Sequence, residues 1–345
     1  MNRKLKFVNC AGARPNFMKI APLVRAFQRR AQLEQLIVHT GQHYDSALSG
    51  IFFQELGIPD PDINLDVGSS TREEQIARIE EKFDEVIVQV KPDVVVVVGD
   101  VNSTVGCARA AKRRRVCVVH VEAGLRSFDL TMPEEHNRRE TDELSDFLFV
   151  TEKAGMTNLA AEEVKGRAFL VGNVMIDSLV FNLPAIRSSC IMNKLGLSSR
   201  SYAVATFHRP VNVDSREKLG RLIDAIRAIS AEIPLLLPIH PRTKKSLETH
   251  NLWRSLQKID GLILQPPLGY MDFMRLVMDA KLVITDSGGI QEETTFLGIP
   301  CITMRESTER PATVDLGTNV VVGSFPDALL EQVRHVLADR FKRGH

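Results

Sequence analysis

Ionisable side chains directly follow several short apolar segments of this sequence. Asp100 comes just after five consecutive valines, and Glu122 and His208 close two other apolar segments. Carboxylates and imidazoles can move protons as general acids and bases. Because charged groups are costly to bury on strands, their repeated placement at the ends of such segments predicts a functional site.

A glycine turn and several cations could hold a phosphate group. The residues at 285–289 read Thr-Asp-Ser-Gly-Gly and precede a helical pattern, so backbone N–H groups at the helix start could bind an anion. No G-x-G-x-x-G or G-x-x-x-x-G-K-[ST] pattern occurs, so neither a dinucleotide cofactor nor a P-loop ATP site is predicted. The candidate phosphate cations are Arg14, Lys19, Arg138 and Arg310, and a third candidate acid is Glu134.

Short apolar segments that alternate with longer amphipathic ones must position these groups. This alternation predicts parallel sheets covered by helices, and the ligands of such sheets lie at the carboxyl ends of the strands. The predicted helices are 17–30, 71–90, 103–112, 216–231, 271–280 and 291–297. The predicted strands are 5–10, 36–39, 94–98, 116–121, 147–150, 169–171, 202–206, 235–239, 262–264, 282–285, 301–303 and 320–322.

The length of 345 residues indicates about two domains, at roughly 150 residues each. We expect an α/β fold with two Rossmann-like, doubly wound domains facing a cleft. The first domain would be 1–175, the linker region 176–200 and the second domain 201–345.

Composition excludes several other classes of protein. The 44 Lys and Arg residues against 43 Asp and Glu residues leave a net charge of +1, which argues against nucleic-acid binding and against a polybasic membrane surface. No apolar stretch approaches the ~20 residues of a membrane span. The five cysteines include no C-x-x-C pair, and no H-E-x-x-H occurs. We therefore expect a cytoplasmic protein with reduced thiols and no metal.

From the residues alone, the sequence predicts a two-domain enzyme that acts on a phosphorylated, nucleotide-linked substrate. Carboxylates and His208 would supply acid–base chemistry. These residues do not determine which reaction the enzyme catalyses.

Nine segments, in the same order along the chain, resemble the non-hydrolysing UDP-N-acetylglucosamine 2-epimerases. They cover nearly the whole sequence. The matching segments are GARPNFMKIAP at 12–22, TGQH at 40–43, GDVNST at 99–104, HVEAGLRS at 120–127, PEEHNR at 133–138, VGNVMID at 171–177, FHR at 207–209, TDSGGIQEE at 285–293 and TERP at 308–311.

The resemblance implies a fold of the GT-B type, with UDP held chiefly by the second domain. It implies reversible inversion at sugar C2, from UDP-GlcNAc to UDP-ManNAc, through elimination of UDP to a 2-acetamidoglucal and re-addition. It also implies that no metal or redox cofactor takes part, that the enzyme serves cell-surface polysaccharide biosynthesis and that it is a homodimer. The family's final helix, which crosses back onto the first domain, has no matching residues before His345.

Site residues follow from the same resemblance. Asp100, Glu122 and Glu134 match catalytic carboxylates, and either Asp100 or Glu134 would take the C2 proton. His208 matches an active-site histidine that would support the diphosphate leaving group. Glu293 would accept the uridine ribose hydroxyls, and Phe273 would lie near the uracil. The remaining residues expected to bind substrate are Arg14, Lys19, Arg138, His240, Ser287, Gly288, Gly289 and Arg310.

Three alternatives stay open from the sequence. Segments such as Ser127-Phe128-Asp129 also resemble relatives that act on UDP-2,3-diacetamido uronic acids. A GT-B glycosyltransferase would share the fold and the nucleotide site, but it would need an acceptor. A nucleotide-sugar-binding protein without catalysis is the third alternative, and the three carboxylates with His208 argue against it.

Overall fold

The computed structural model describes residues 3–41, 55–323 and 326–344, apart from the side chains of residues 14, 15 and 326. The chain divides into two compact units, Met1–Phe181 and Asn182–His345. The stretch 176–200, which we expect to be a linker, contains most of a helix, Val174–Ser188, and all of a second one, Ile191–Lys194.

The first unit is built on a parallel sheet in the order β3-β2-β1-β4-β5-β6-β7. Its first strand lies in the interior, and the chain builds outward from it in both directions, which makes the sheet doubly wound. The strands are β1 Leu5–Ala11, β2 Leu33–His39, β3 Ile63–Asn64, β4 Val94–Val98, β5 Cys117–Ala123, β6 Phe147–Val150 and β7 Arg167–Leu170.

In the described part of the chain, helices connect these strands, and a last helix follows β7 and ends in the second unit. They are α1 Arg14–Gln28, α2 Arg72–Val90, α3 Asn102–Arg113, α4 Pro133–Leu144, α5 Lys153–Ala161 and α6 Val174–Ser188.

Helix α2 shows how the sequence specifies such an element. The Thr71 hydroxyl accepts from the Glu74 backbone N–H at its start. Ile76, Ile79 and Phe83 recur at helical spacing and are buried, and Ile79 and Phe83 belong to one apolar cluster with residues of the sheet and α3.

The second unit repeats the architecture with a parallel sheet in the order β10-β9-β8-β11-β12-β13. Its core lies between the sheet and helices that include α9, where Leu219, Ile226 and Ile229 are buried. The strands are β8 Ala203–Thr206, β9 Leu235–Pro238, β10 Leu262–Gln265, β11 Leu282–Thr285, β12 Cys301–Thr303 and β13 Asn319–Val321. The helices are α7 Ile191–Lys194, α8 Pro210–Val213, α9 Arg216–Glu232, α10 Pro241–Thr249, α11 Trp253–Gln257, α12 Tyr270–Asp279, α13 Gly288–Leu297, α14 Pro311–Asp315 and α15 Pro326–Leu337.

Two parallel, doubly wound sheets confirm the predicted fold class. All twelve predicted strands are present, with ends that differ by a few residues, while β3 and several helices were not predicted. Helix α4 escaped prediction because its buried residues are polar or charged, among them Glu135, Arg138 and Asp142, so it has no apolar stripe. None of the helices in the described part of the chain is both long and apolar enough to span a membrane.

Candidate active site

Sheet order places the predicted residues at the carboxyl edge of each sheet. In the first unit, β1 lies between β2 and β4, so the residues after β1 and β4 meet where the winding reverses direction. In the second unit, β8 lies between β9 and β11 and brings the residues after β8 and β11 together in the same way. Each unit therefore carries its own group of candidate site residues.

Asn16 ties the turn after β1 to the end of β4. Its side-chain oxygen accepts hydrogen bonds from the backbone N–H groups of Gly12 and Ala13, at 3.2 and 3.0 Å. Its side-chain nitrogen donates to the Val98 carbonyl at 3.0 Å. The segment GARPN is therefore held against the strand that leads to Asp100. Arg14 is the first residue of α1, and its side chain lies outside the described part of the structure.

Glu122 and Lys19 form a buried ion pair in the first unit. Lys19 Nζ lies 2.7 Å from Glu122 Oε1, and the two side chains are 8% and 2% exposed. Glu122 has a φ of +73°, and the pairing of β5 with β6 shifts register between Val121 and Ala123. A bulge at this place re-aims the side chain, and strain of this kind is concentrated at functional sites.

Gly99 connects this pair to Asp100. Its φ is +67°, and a Cβ added there would lie 2.5 Å from Lys19 Nζ. The absence of a side chain at Gly99 therefore lets the Lys19 ammonium approach the backbone next to the Asp100 carboxylate.

Arg138 joins Asp100 to Glu135. Its guanidinium donates to Asp100 Oδ2 at 2.7 and 3.0 Å and to Glu135 Oε2 at 2.7 Å. Burial raises the pKa of Glu135, but hydrogen bonds from the Ser127 N–H and hydroxyl and the charge of Arg138 outweigh burial and lower that pKa. Glu135 therefore stays ionised and holds the guanidinium against Asp100.

Glu134 is the candidate acid without a cation of its own. It is half-buried in the first turn of α4, and its carboxylate makes no hydrogen bond or ion pair with the residues that the structure describes. It precedes Arg138 by four residues, which places the two on the same face of the helix.

A buried ionic network links β5 and the residue after β4 to helix α4. His120 Nδ1 lies 2.7 Å from Asp142 Oδ1, and His120 Nε2 lies 2.8 Å from the Gly99 carbonyl. Arg126 pairs with Asp142 at 2.7 Å and with Glu162 at 2.6 Å. Burial lowers the pKa of Arg126, but the two carboxylates outweigh burial and raise that pKa, so the guanidinium keeps its charge.

His208 and Asp286 form the central pair of the second unit. His208 Nδ1 lies 2.8 Å from Asp286 Oδ1, and the His208 side chain is 38% exposed while that of Asp286 is fully buried. Burial raises the pKa of Asp286, but hydrogen bonds from His208, the Arg209 backbone and the Asn212 side chain outweigh burial and lower that pKa. His240 lies beside this pair, with its ring centroid 5.3 Å from that of His208.

The glycine turn after β11 begins a helix, as the sequence indicates. Ser287 is the N-cap residue of α13, and Gly288 and Gly289 form its first turn. Gln291 donates to the Ser287 carbonyl at 3.1 Å and accepts from Thr308 at 2.7 Å, so the turn is tied to the segment TERP. This helix start has the backbone N–H groups that suit a phosphate.

Two glutamates of α13, Glu292 and Glu293, contact residues from other parts of the second unit. Arg310 Nε lies 3.3 Å from Glu292 Oε1, and both side chains are buried. The Tyr270 hydroxyl donates to Glu293 Oε1 at 2.8 Å. Burial raises the pKa of Glu293 to about 7, against the opposing hydrogen bond from Tyr270 and with the added effect of the Glu292 charge.

The predicted residues thus fall into two groups, one on each unit. The first unit has Lys19, Asp100, Glu122, Glu134 and Arg138 at its carboxyl edge, and Arg14 is the first residue of α1. The second unit has His208, His240, Ser287, Gly288, Gly289, Glu293 and Arg310, with Phe273 half-buried in the first turn of α12. Of the segment TGQH, residues 42 and 43 lie outside the described residues.

Several residues that form these ion pairs and hydrogen bonds were not predicted as site residues from the sequence. They are Glu135, His120, Asp142, Asp286 and Tyr270. Asp286 and Glu135 stand inside segments that the sequence already singles out, so their position was a usable signal. Asp142 and Tyr270 had no such signal because their partners lie 22 and 23 residues away. Among the described residues, no group of three or more His, Cys, Asp or Glu side chains could hold a metal ion.

The first unit can perform proton transfer, because Asp100 and Glu134 lie at one sheet edge with the cations Lys19 and Arg138. The second unit has a helix start that could bind an anion, with Arg310 and His208 beside it. Fixed charges of this kind stabilise charge that develops during a reaction.

The family model for UDP-N-acetylglucosamine 2-epimerase matches residues 25–345. A UDP-N-acetylglucosamine 2-epimerase homolog from Methanococcus maripaludis is 42% identical over 331 residues, which is 95% of this chain and 92% of the relative. A UDP-2,3-diacetamido-2,3-dideoxy-D-glucuronate 2-epimerase from Pseudomonas aeruginosa is 40% identical over 335 residues, covering 96% of this chain and 92% of the relative.

Among solved structures, this chain is similar to the UDP-GlcNAc 2-epimerase of Methanocaldococcus jannaschii in complex with UDP-GlcNAc and UDP. The TM-score is 0.92 at 38% sequence identity, and the similarity covers 98% of this chain and 94% of that one. Together with the match over residues 25–345, these similarities identify the chain as a member of the UDP-N-acetylglucosamine 2-epimerase family.

Proposed function

We propose that this protein interconverts UDP-GlcNAc and UDP-ManNAc by inverting the configuration at C2 of the sugar. The observation that carries the proposal is the gathering of three carboxylates, Asp100, Glu122 and Glu134, with the cations Lys19 and Arg138 at one sheet edge. Inversion at a carbon that bears hydrogen needs a base on one face and an acid on the other, and the carboxylates offer both.

The reaction would proceed by elimination and re-addition. A carboxylate takes the C2 proton, the C1–C2 double bond forms, and the bond between C1 and the diphosphate oxygen breaks, so that UDP leaves with its electron pair. The bound 2-acetamidoglucal then receives a proton at the opposite face of C2, and UDP adds again at C1. No electrons are gained or lost in the sum of these steps.

The geometry favours Asp100 or Glu134 as the group that takes the C2 proton. Glu122 is 2% exposed and ion-paired with Lys19, so its carboxylate is hardly accessible to a substrate. Glu134 has no ion-pair partner among the described residues. Asp100 is paired with Arg138 through Oδ2, but a quarter of its side chain remains exposed.

The second unit would hold the nucleotide. The N–H groups at Ser287, Gly288 and Gly289 would bind the diphosphate, together with Arg310 and His208. Glu293 would accept the ribose hydroxyls, with Phe273 near the uracil and His240 beside His208.

A second candidate substrate is a UDP-2,3-diacetamido uronic acid. Its support is the relative from Pseudomonas aeruginosa, which is 40% identical over nearly the full length of this chain. The same elimination would apply because both sugars carry a hydrogen on C2 and the diphosphate on the adjacent carbon, C1.

Incubation with UDP-GlcNAc alone in D₂O, followed by NMR, tests the proposal. We expect UDP-ManNAc with deuterium at C2 and no requirement for acceptor, metal or NAD. If a folded protein that binds UDP gives neither exchange nor product with UDP-GlcNAc, that substrate is wrong. Product from the diacetamido uronate in the same assay would then establish the second candidate, and transfer only after addition of an acceptor would indicate a glycosyltransferase.

A further inference from the structure

We propose that Asp286 is a positioning residue that holds the His208 ring in one tautomer, with the proton on Nδ1, and leaves Nε2 for the diphosphate of the substrate. This inference rests on the proposed function for the part that concerns the diphosphate. The tautomer itself can be measured without any turnover.

The contacts of Asp286 determine which ring nitrogen carries the proton. Its Oδ2 accepts from the backbone N–H of His208 at 3.0 Å, from that of Arg209 at 2.9 Å and from the Asn212 side chain at 3.1 Å. Its Oδ1 faces His208 Nδ1 at 2.8 Å. A carboxylate surrounded by donors remains ionised and can only accept. The hydrogen between Asp286 and His208 therefore belongs to Nδ1.

A contact with the His240 ring also restrains the orientation of the His208 ring. The His240 ring lies against that of His208 at 5.3 Å between centroids, with 39° between the ring planes. His240 is itself fixed as the N-cap residue of α10, because its Nδ1 accepts from the Arg242 backbone N–H at 3.2 Å. Rotation of the His208 ring would lose the Asp286 bond and disturb this contact.

These constraints leave His208 Nε2 as the reactive atom. Nε2 has no hydrogen-bond partner among the residues that the structure describes, and the side chain is 38% exposed. When both ring nitrogens carry a proton, the imidazolium can donate from Nε2 to an oxygen of the departing diphosphate while Asp286 accepts from Nδ1. When Nε2 is unprotonated it can accept that proton back during re-addition.

A merely structural role for Asp286 is the competing explanation, because the same carboxylate holds the backbone of His208 and Arg209. Asn212→Ser is the matched control. This variant removes one donor to Asp286 and its bond to the Met304 carbonyl, but it keeps the carboxylate and the His208 pair.

The first measurement is the tautomer of His208 in ligand-free protein labelled with ¹⁵N-histidine, at a pH where the ring is neutral. Solid-state NMR distinguishes a protonated from an unprotonated ring nitrogen, and His208→Gln assigns the signals. We expect Nδ1–H in the wild type and in Asn212→Ser, and a shift toward Nε2–H in Asp286→Asn. A wild-type ring with Nε2–H would overturn the proposal, and this result does not depend on whether Asp286→Asn or Asn212→Ser folds.

The second measurement is the steady-state kinetics of the same variants. A wrong tautomer should lower kcat of Asp286→Asn by about 10²–10³-fold while KM stays within about threefold, and Asn212→Ser should keep kcat within about fivefold. Equal losses in both variants, or an Asp286→Asn variant with near-normal kcat, would overturn the proposal. If the wild type does not turn over UDP-GlcNAc, the proposed function fails while the tautomer measurement still decides the role of Asp286.

Discussion

Lys19 Nζ lies 2.7 Å from Glu122 Oε1, and the two residues are 103 positions apart in the sequence. Removal of the cation would leave the Glu122 charge in a place that water hardly reaches. We expect Lys19→Met to lower the free energy of unfolding by about 3–5 kcal/mol, measured by urea denaturation. The double variant Lys19→Met/Glu122→Gln removes both charges and should recover much of this loss. A loss below about 1 kcal/mol in Lys19→Met would contradict a buried ion pair.

Asp100→Asn and Glu134→Gln should each lower kcat by about 10²–10⁴-fold, because each variant removes a group that can exchange a proton with C2. UDP affinity, measured by calorimetry, should stay within a few-fold, since neither residue belongs to the second unit. Glu81→Gln on the exposed face of α2 is the control and should behave as the wild type. If either site variant keeps near-normal turnover, its acid–base role is wrong.

Glu293 should make stability depend on pH. Burial raises its pKa to about 7, against the hydrogen bond from Tyr270, while the ordinary value is 4.5. Between these two pH values the unfolded chain loses the proton and the folded chain keeps it, so stability falls as pH rises. The total loss is about 3 kcal/mol, complete above pH 7.

Glu293→Gln should remove this dependence. The stability of the variant relative to the wild type should rise from pH 5 to pH 7 and then level off, as measured by denaturation at pH 5, 6, 7 and 8. Glu81→Gln, at an exposed glutamate of α2, is the control for the substitution itself. A pH-independent difference for Glu293→Gln would show that the carboxyl group has an ordinary pKa.

Gly12 should not tolerate a side chain. A Cβ at this position would lie 1.8 Å from Ser103 Oγ and 2.6 Å from Thr40 Oγ1, and these hydroxyls are themselves bonded at 2.6 Å. We expect Gly12→Ala to destabilise the protein by about 1–3 kcal/mol. Gly220→Ala is the matched control, because Gly220 lies in α9 with no atom within 4 Å of an added Cβ. It should stabilise the protein by about 0.5–1 kcal/mol, and equal effects in a thermal unfolding experiment would contradict the crowding at Gly12.

The strands could be predicted from the sequence because a parallel strand is buried on both faces and needs a nearly continuous apolar run. The valines of β4 and the segment LVIT of β11 are such runs, and their predicted bounds match the structure. Helix α4 could not be predicted in this way, because Glu135, Arg138 and Asp142 replace the apolar residues that helical periodicity depends on.

The sequence by itself determined which chemical groups stand at the strand ends, because the alternation of apolar and charged segments is local. Only the tertiary structure decided how these groups pair. The alternation of side chains along β5 does not predict the positive φ of Glu122, which the bulge against β6 produces. The partners of Glu122 and Asp286 lie 103 and 78 residues away, and sheet order brings them within 3 Å. Such distances depend on how strands pair across the whole unit, and no local pattern of residues contains that information.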